Sequence, residues 1–186
     1  IPALRRIRRM TGADLTDPLL GSDCIQDDFE VWRQKLNPKM TFRVLERRDF
    51  LVPRWYTEKP SYDRRRHGPV FQVDWELRPC WVMEIMTNDP DYAYSKRVVY
   101  LDAVPIEKGG TFILYWGEEY DQRGRMWRAN GQGAPSDDGR GFKNLFGWMY
   151  MNVLAHHYTI MYGDPSFPNL DPSQAFTVKG LLRRVH

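Results

Sequence analysis

Trp75-Glu76-Leu77-Arg78-Pro79-Cys80-Trp81-Val82-Met83-Glu84-Ile85-Met86 is the first of three linked runs that decide the fold. The second is Tyr94-Ser95-Lys96-Arg97-Val98-Val99-Tyr100-Leu101-Asp102, and the third runs from Tyr115-Trp116-Gly117-Glu118-Glu119-Tyr120 to Arg125-Met126-Trp127-Arg128. All are rich in the β-branched and aromatic residues that suit a pleated, half-buried surface. The breaks between them carry turn chemistry: Asn88-Asp89-Pro90-Asp91, Lys108-Gly109-Gly110 and Asp121-Gln122-Arg123-Gly124. Gly124 is placed to take the positive φ of a tight hairpin. Runs of strand length joined by short turns predict an antiparallel meander.

Working outward, Phe71, Val73, Trp75 and Leu77 alternate with Gln72, Asp74, Glu76 and Arg78, which predicts an apolar face and a wet one. Thr41 to Val52 reads as a strand ended by Pro53, and Leu4 to Met10 as a short basic edge strand. Asp27-Asp28-Phe29-Glu30-Val31-Trp32 reads as a short helix with acidic residues at its N-terminal end, where the dipole favours them. Tyr56 to Pro69 is a solvated loop carrying Asp63-Arg64-Arg65-Arg66-His67. Residues 130–141 are the most flexible stretch, with Gly131, Gly133, Pro135, Gly139 and Gly141 in a polar setting. Residues 142–162 fit a helix or strands, and the reading is strand from Met149 to Met161. Ala175 to Arg184 is read as a short terminal helix.

The chain has 186 residues, 42% hydrophobic and 14% aromatic, so it is read as a single domain with a real core. A net charge of +3 gives no field that calls for nucleic acid. No apolar run approaches the ~20 residues of a membrane-spanning helix. Ile1-Pro2-Ala3 opens directly onto Arg5-Arg6-Ile7-Arg8-Arg9, so any leader is read as already removed.

A search for chemistry returns little. His156-His157 would point to opposite faces of a strand and cannot share one ion, so no metal site is expected. Glu118-Glu119 is splayed apart in the same way, which argues against a paired acid and base. Asp23, Asp27 and Asp28 lack the spacing of a calcium loop and are read as caps. No phosphate loop, dinucleotide fingerprint or nucleophile elbow appears, and no cofactor is implied. Cys24 and Cys80 are read as separate buried thiols, with a bridge as the alternative.

Arg5-Arg6-Ile7-Arg8-Arg9, Gly21-Ser22-Asp23 and Asp27-Asp28-Phe29 resemble the signature of outer-membrane lipoprotein-sorting proteins, the LolA/LolB-like superfamily. The three central runs are similar to a longer periplasmic branch of it. The resemblance implies a mainly β (α+β) fold: a strongly curved antiparallel sheet, or incomplete barrel, with a few short covering helices. The chain would then be the whole of such a domain or the C-terminal part of a larger one. It also implies periplasmic or outer-membrane residence and carriage of hydrophobic cargo such as lipid or a lipoprotein acyl chain, without catalysis. The alternative is a structural subunit of an envelope complex, its aromatic face buried against partner chains. Within that frame Trp81, Met83, Ile85, Phe112, Leu114 and Trp116, with Val99 or Tyr100 between them, are expected to line the concave, ligand-binding side. Another polypeptide is expected to complete or cover the sheet.

Overall fold

The structure, a computed structural model, describes residues 18–25, 27–30, 39–56, 61–66, 68–70, 73–110, 113–132, 136–137, 143–144 and 148–161. The expected strand at Leu4 to Met10, the terminal helix and Phe112 lie outside them. One sheet dominates. Its strands are β1 (Met40–Tyr56), β4 (Val73–Thr87), β5 (Lys96–Asp102), β6 (Leu114–Tyr120), β7 (Met126–Gln132), β10 (Trp148–Asn152) and β11 (His157–Met161). They lie side by side in that order. Every neighbouring pair is antiparallel. Two small hairpins interrupt the meander: β2 (Ser61–Asp63) with β3 (Gly68–Val70), and β8 (Ser136–Asp137) with β9 (Lys143–Asn144). The sheet is curved and open rather than a closed barrel. Helical turns at Leu19–Gly21 and Ile106–Lys108 and the short helix α1 (Asp27–Glu30) complete the described elements.

Pro53 does not end β1, contrary to expectation. The strand runs on to Tyr56, with a register shift between Pro53 and Trp55. Among the described residues β1 has β4 as its one neighbour, and a proline on such an edge removes no ladder bond. Pro79, inside β4, is tolerated for a related reason. Its carbonyl accepts from Ala103 N–H, so its nitrogen points to the same side, where β5 has already ended at Asp102. The turn at Gly124 forms as read: φ is +75°, and Asp121 Oδ1 accepts from the Arg123 and Arg125 amides at 2.9 Å each.

Other segments depart from the sequence reading. The wet and dry sides of the stretch before Pro79 are exchanged, because Trp75 and Leu77 are 60% and 65% exposed. Arg78 is turned inward instead, onto the fully buried Asp102. The solvated loop after Tyr56 contains the β2–β3 hairpin, where Asp63 Oδ1 accepts from the Arg65 amide. Asn130 to Gln132, read as the start of a flexible loop, complete β7 with Asn130 and Gln132 buried. The strand expected from Met149 to Met161 is two strands, split by a turn at 153–156 in which His156 takes a positive φ of 52°.

The sheet is packed on both faces. On one, Ile85, Val99 and Leu114 cluster with Met40, Met83 and Leu101. On the other, Val52, Cys80 and Tyr115 cluster with Phe50, Tyr100 and Ile113. Each such aliphatic side chain contributes about 1.5–3 kcal/mol by burial. Cys24 and Cys80 are both buried free thiols, and burial pushes the Cys80 thiol up to about 11, so it is not an activated nucleophile.

Candidate ligand-binding face

Residues paired directly across an antiparallel ladder share a face, so the register maps what each side of the sheet presents. Val44 faces Met83, Met83 faces Val99, and Phe42 faces Ile85. Trp81 faces Leu101, and Leu101 faces Leu114. These residues form one apolar strip across β1, β4, β5 and β6. It grades from closed to open. Ile85, Val99 and Leu114 are buried, whereas Phe42, Trp81 and Val44 are 37%, 42% and 58% exposed.

Of the side chains expected to line a ligand site, Trp81, Met83, Ile85, Val99 and Leu114 therefore lie on one face. Trp116 and Tyr100 do not. They pair with each other on the opposite face, Tyr100 by alternation beside Val99 and Trp116 because the register shifts between Tyr100 and Leu101. The shift leaves Tyr115 as an extra residue, so Leu114 and Trp116 end on opposite sides despite their even spacing. Tyr100 packs on Phe50, with ring centroids 4.6 Å apart, and Trp116 Nε1 donates to Glu118.

Beyond the apolar strip the same face turns polar. Arg97 faces Glu119, Glu119 faces Arg128, Gly117 faces Asn130, and Asn130 faces Tyr150. Arg97, Arg128, Glu119, Asn130 and Gln132 are all at most 5% exposed. Gly117 makes this possible, since a Cβ there would lie 2.7 Å from the Asn130 amide nitrogen. Gly117's missing side chain is the space that Asn130 uses.

The segment carrying α1 is clasped onto this region by two parallel relays. Arg97 donates to the Tyr92 hydroxyl at 2.7 Å, and Tyr92 donates to Asp27. Arg128 donates to the Tyr94 hydroxyl at 3.0 Å, and Tyr94 donates to Asp28 at 2.9 Å. Arg97 also meets Asp27 directly at 2.6 Å. Asp28 Oδ2 accepts from the Ile25 amide, so the capping role read for these aspartates is present but secondary to ion pairing. At the far edge Asp23 Oδ2 lies 2.7 Å from His157 Nδ1 and accepts from Thr159. His157 is thus an anchor for this segment, while His156 sits in the turn. Among the described residues, no group of three or more His, Cys, Asp or Glu is arranged to hold a metal ion.

Charge counting explains the oddest member. Asp27 and Asp28 balance Arg97 and Arg128, which leaves Glu119 as a surplus carboxyl. Burial, with the charge of Asp28 adding to it, pushes Glu119 up to about 8, against the pull of Arg97, Arg128 and the Asn130 amide. Asp28 is shifted upward too, by burial, with Arg97 opposing. The unfolded chain releases the Glu119 proton near 4.5, whereas the folded chain holds it to about 8. The stabilisation is complete below the lower value, is lost as pH rises through that window, and changes no further above it. Glu119→Gln is expected to reduce the loss of stability across this window. Urea unfolding at its two ends checks this; an unchanged slope would show that Glu119 titrates normally.

The open curved sheet, with α1 clasped on one face beside an apolar strip, is a fold shared with solved proteins that include an outer membrane lipoprotein-sorting domain. By its sequence the chain belongs to the family described as "Protein of unknown function (DUF1329)", whose model matches residues 1–179. Solved structures agree on the fold. A domain from Vibrio parahaemolyticus described as an outer membrane lipoprotein-sorting protein superposes with a TM-score of 0.52 at 16% identity. The alignment covers 91% of this chain and 60% of that one. A DUF1329 family protein from Desulfovibrio piger superposes with a TM-score of 0.51 at 13% identity, over 97% of this chain and 62% of that one. A LolA superfamily protein from Nitrosomonas europaea gives 0.49 at 14% identity, over 95% of this chain and 64% of that one. The chain thus spans about three-fifths of the length of these structures. No curated protein matches the sequence.

Proposed function

We propose that this protein is a non-enzymatic carrier of hydrophobic cargo, a lipid or a lipoprotein acyl chain, held against the apolar strip of the α1-bearing face. One observation carries the reading: exposed Phe42, Val44 and Trp81 run without a break into buried Ile85, Val99 and Leu114. Met83 and Trp81 supply area with little directional demand, which suits a flexible chain. Each methylene buried there gains about 0.8 kcal/mol, so a partly inserted acyl chain outweighs a single hydrogen bond. The similarity to a lipoprotein-sorting domain is consistent with a periplasmic setting. No helix among the described residues is long and apolar enough to cross a membrane, which leaves strand-built membrane insertion open. An apolar fluorescent dye should bind the purified chain saturably and be displaced by a long-chain fatty acid ester. A dye that does not saturate, or that the ester does not displace, would overturn the carrier reading.

A second reading has its own observation. Leu51, Trp75 and Leu77, on the far end of the β1–β4 ribbon, are 52%, 60% and 65% exposed. With β1 carrying one neighbour among the described residues, that end suits a partner chain in an envelope assembly. Native mass spectrometry distinguishes the two, since a subunit retains its partner and a carrier retains lipid.

A further inference from the structure

Where the apolar strip meets the polar half of the face, buried oxygens lack hydrogen-bond partners. Glu119 Oε2, Asn130 Oδ1 and Gln132 Oε1 are buried without a hydrogen-bond partner. Their side chains are each at least nine-tenths buried, at 3%, 5% and 4% exposure. Asn130 and Gln132 are two residues apart on β7 and so share a face, and Glu119 is tied to Asn130 through its other oxygen. Gly117, opposite Asn130, is also the cross-strand partner of Val99 in the apolar strip. The apolar strip thus adjoins a row of unserved polar groups along the same face. Buried polar groups are normally satisfied, so a row left open marks a place that receives hydrogen-bonding groups from outside the chain.

We infer that Glu119, Asn130 and Gln132 form a head-group subsite for a neutral, hydroxyl-bearing lipid whose acyl chain lies along the strip over Trp81 and Met83. This deepens the carrier reading and rests on it. A hydroxyl is favoured over an ammonium by the chemistry of Glu119. With its proton held to about 8, the free oxygen of Glu119 is a donor near neutral pH and an acceptor only above it. A hydroxyl both donates and accepts, so it serves Asn130 and Gln132 as acceptors and Glu119 in either state. An ammonium has no acceptor to offer, and a carboxylate or phosphate has no proton for the amide oxygens. Arg97 is committed to Asp27 and Asp28, and the Arg128 Nε–H, buried without a partner, adds one donor that a hydroxyl oxygen also meets.

The experiment is displacement of an apolar dye by lipids of one acyl chain and different heads: a monoacylglycerol, the methyl ester, the free fatty acid and the alkyl amine. The monoacylglycerol is expected to compete about tenfold more strongly than the methyl ester, the order set by hydrogen bonds to otherwise unserved buried groups. Gln132→Leu, which leaves the Glu119–Asn130 bond in place, is expected to bring the two within about threefold by weakening the monoacylglycerol. Equal competition by ester and monoacylglycerol in the native chain overturns the subsite and leaves the carrier reading standing. That comparison needs no variant, so it holds even if Gln132→Leu does not fold. A preference for the amine or the fatty acid overturns the hydroxyl assignment, as does full retention of the preference in Gln132→Leu. If no lipid displaces the dye, the carrier reading falls and the subsite falls with it.

Discussion

Arg97→Met should cost the folded state about 3–5 kcal/mol, the range for breaking a buried ion pair by removing one partner. Arg97 meets Asp27 at 2.6 Å and Asp28 at 3.7 Å, and its own side chain is 4% exposed. Burial alone would lower its pKa, but Tyr92, Asp27, Glu119 and Tyr94 more than offset that and raise it. Its guanidinium also lies over the Tyr94 ring at 4.5 Å. Methionine keeps the stem's volume and strands the Asp27 carboxylate, while Asp28 keeps the Tyr94 hydroxyl and the Ile25 amide. The double variant Arg97→Met, Asp27→Asn should recover part of the loss, because the stranded charge is gone. Equilibrium urea unfolding gives the magnitude. Limited proteolysis should show the segment around α1 opening first, since the relay through Arg128 and Tyr94 and the Asp23 anchor on His157 and Thr159 then hold it without Arg97. A loss under about 1 kcal/mol would place the pair in the solvent-screened class and remove the clasp from the account.

Leu114→Asp and Trp81→Asp should part company, though both residues sit on the apolar strip. Leu114 is 7% exposed and packs with Ile85 and Val99, so an aspartate there adds a buried unpaired charge to the lost packing. The expected outcome is a chain destabilised by roughly 4 kcal/mol or more, enough to unfold many domains of this size. Trp81 is 42% exposed, with Arg47 over its ring at 5.7 Å. Aspartate at 81 stays hydrated and near a cation, so the chain should fold with a stability change within about 1 kcal/mol. What it should lose is dye and lipid binding. Circular dichroism and dye titration on both variants settle the matter. A folded Trp81→Asp that binds dye as well as the native chain would remove this strip from the binding site.

The sequence revealed the meander because its signals are local. Each turn carries its own chemistry, as at Asp121 and Gly124, and each strand its own alternation. It placed Trp81, Met83 and Ile85 in phase for the same reason, and left Val99 and Tyr100 as alternatives. What it did not reveal depends on partners far along the chain. The register shift beside Tyr100 that throws Trp116 to the other side is set by β5 against β6, not by either run alone. Trp75 and Leu77 lie outward because Arg78 has Asp102 to reach, and that carboxylate comes from another strand. The clasp was hidden in a similar way. Arg97 stands in phase with Val99 and Leu101, as Glu119 does with Gly117. A charge in the apolar phase of a strand was the available signal. Adjacency in Glu118-Glu119 drew attention to the pair, when the informative fact was that only one of the two is buried.

The strand order has a consequence for how the sheet comes together. Each strand of the main sheet lies beside the next one in the chain, apart from the two small hairpins spliced between β1 and β4 and between β7 and β10. Outside the β1–β4 and β7–β10 ribbons, which close over the inserted hairpins, pairings are those of successive hairpins, and topologies of lower contact order fold faster than those built from distant pairings. Closing a loop costs only about 0.6 kcal/mol more for each doubling of its length. The spliced hairpins thus add little to the cost of zipping β1 onto β4 or β10 onto β7. Assembly can begin at the tight β6–β7 turn and spread outward in both directions, one hairpin at a time.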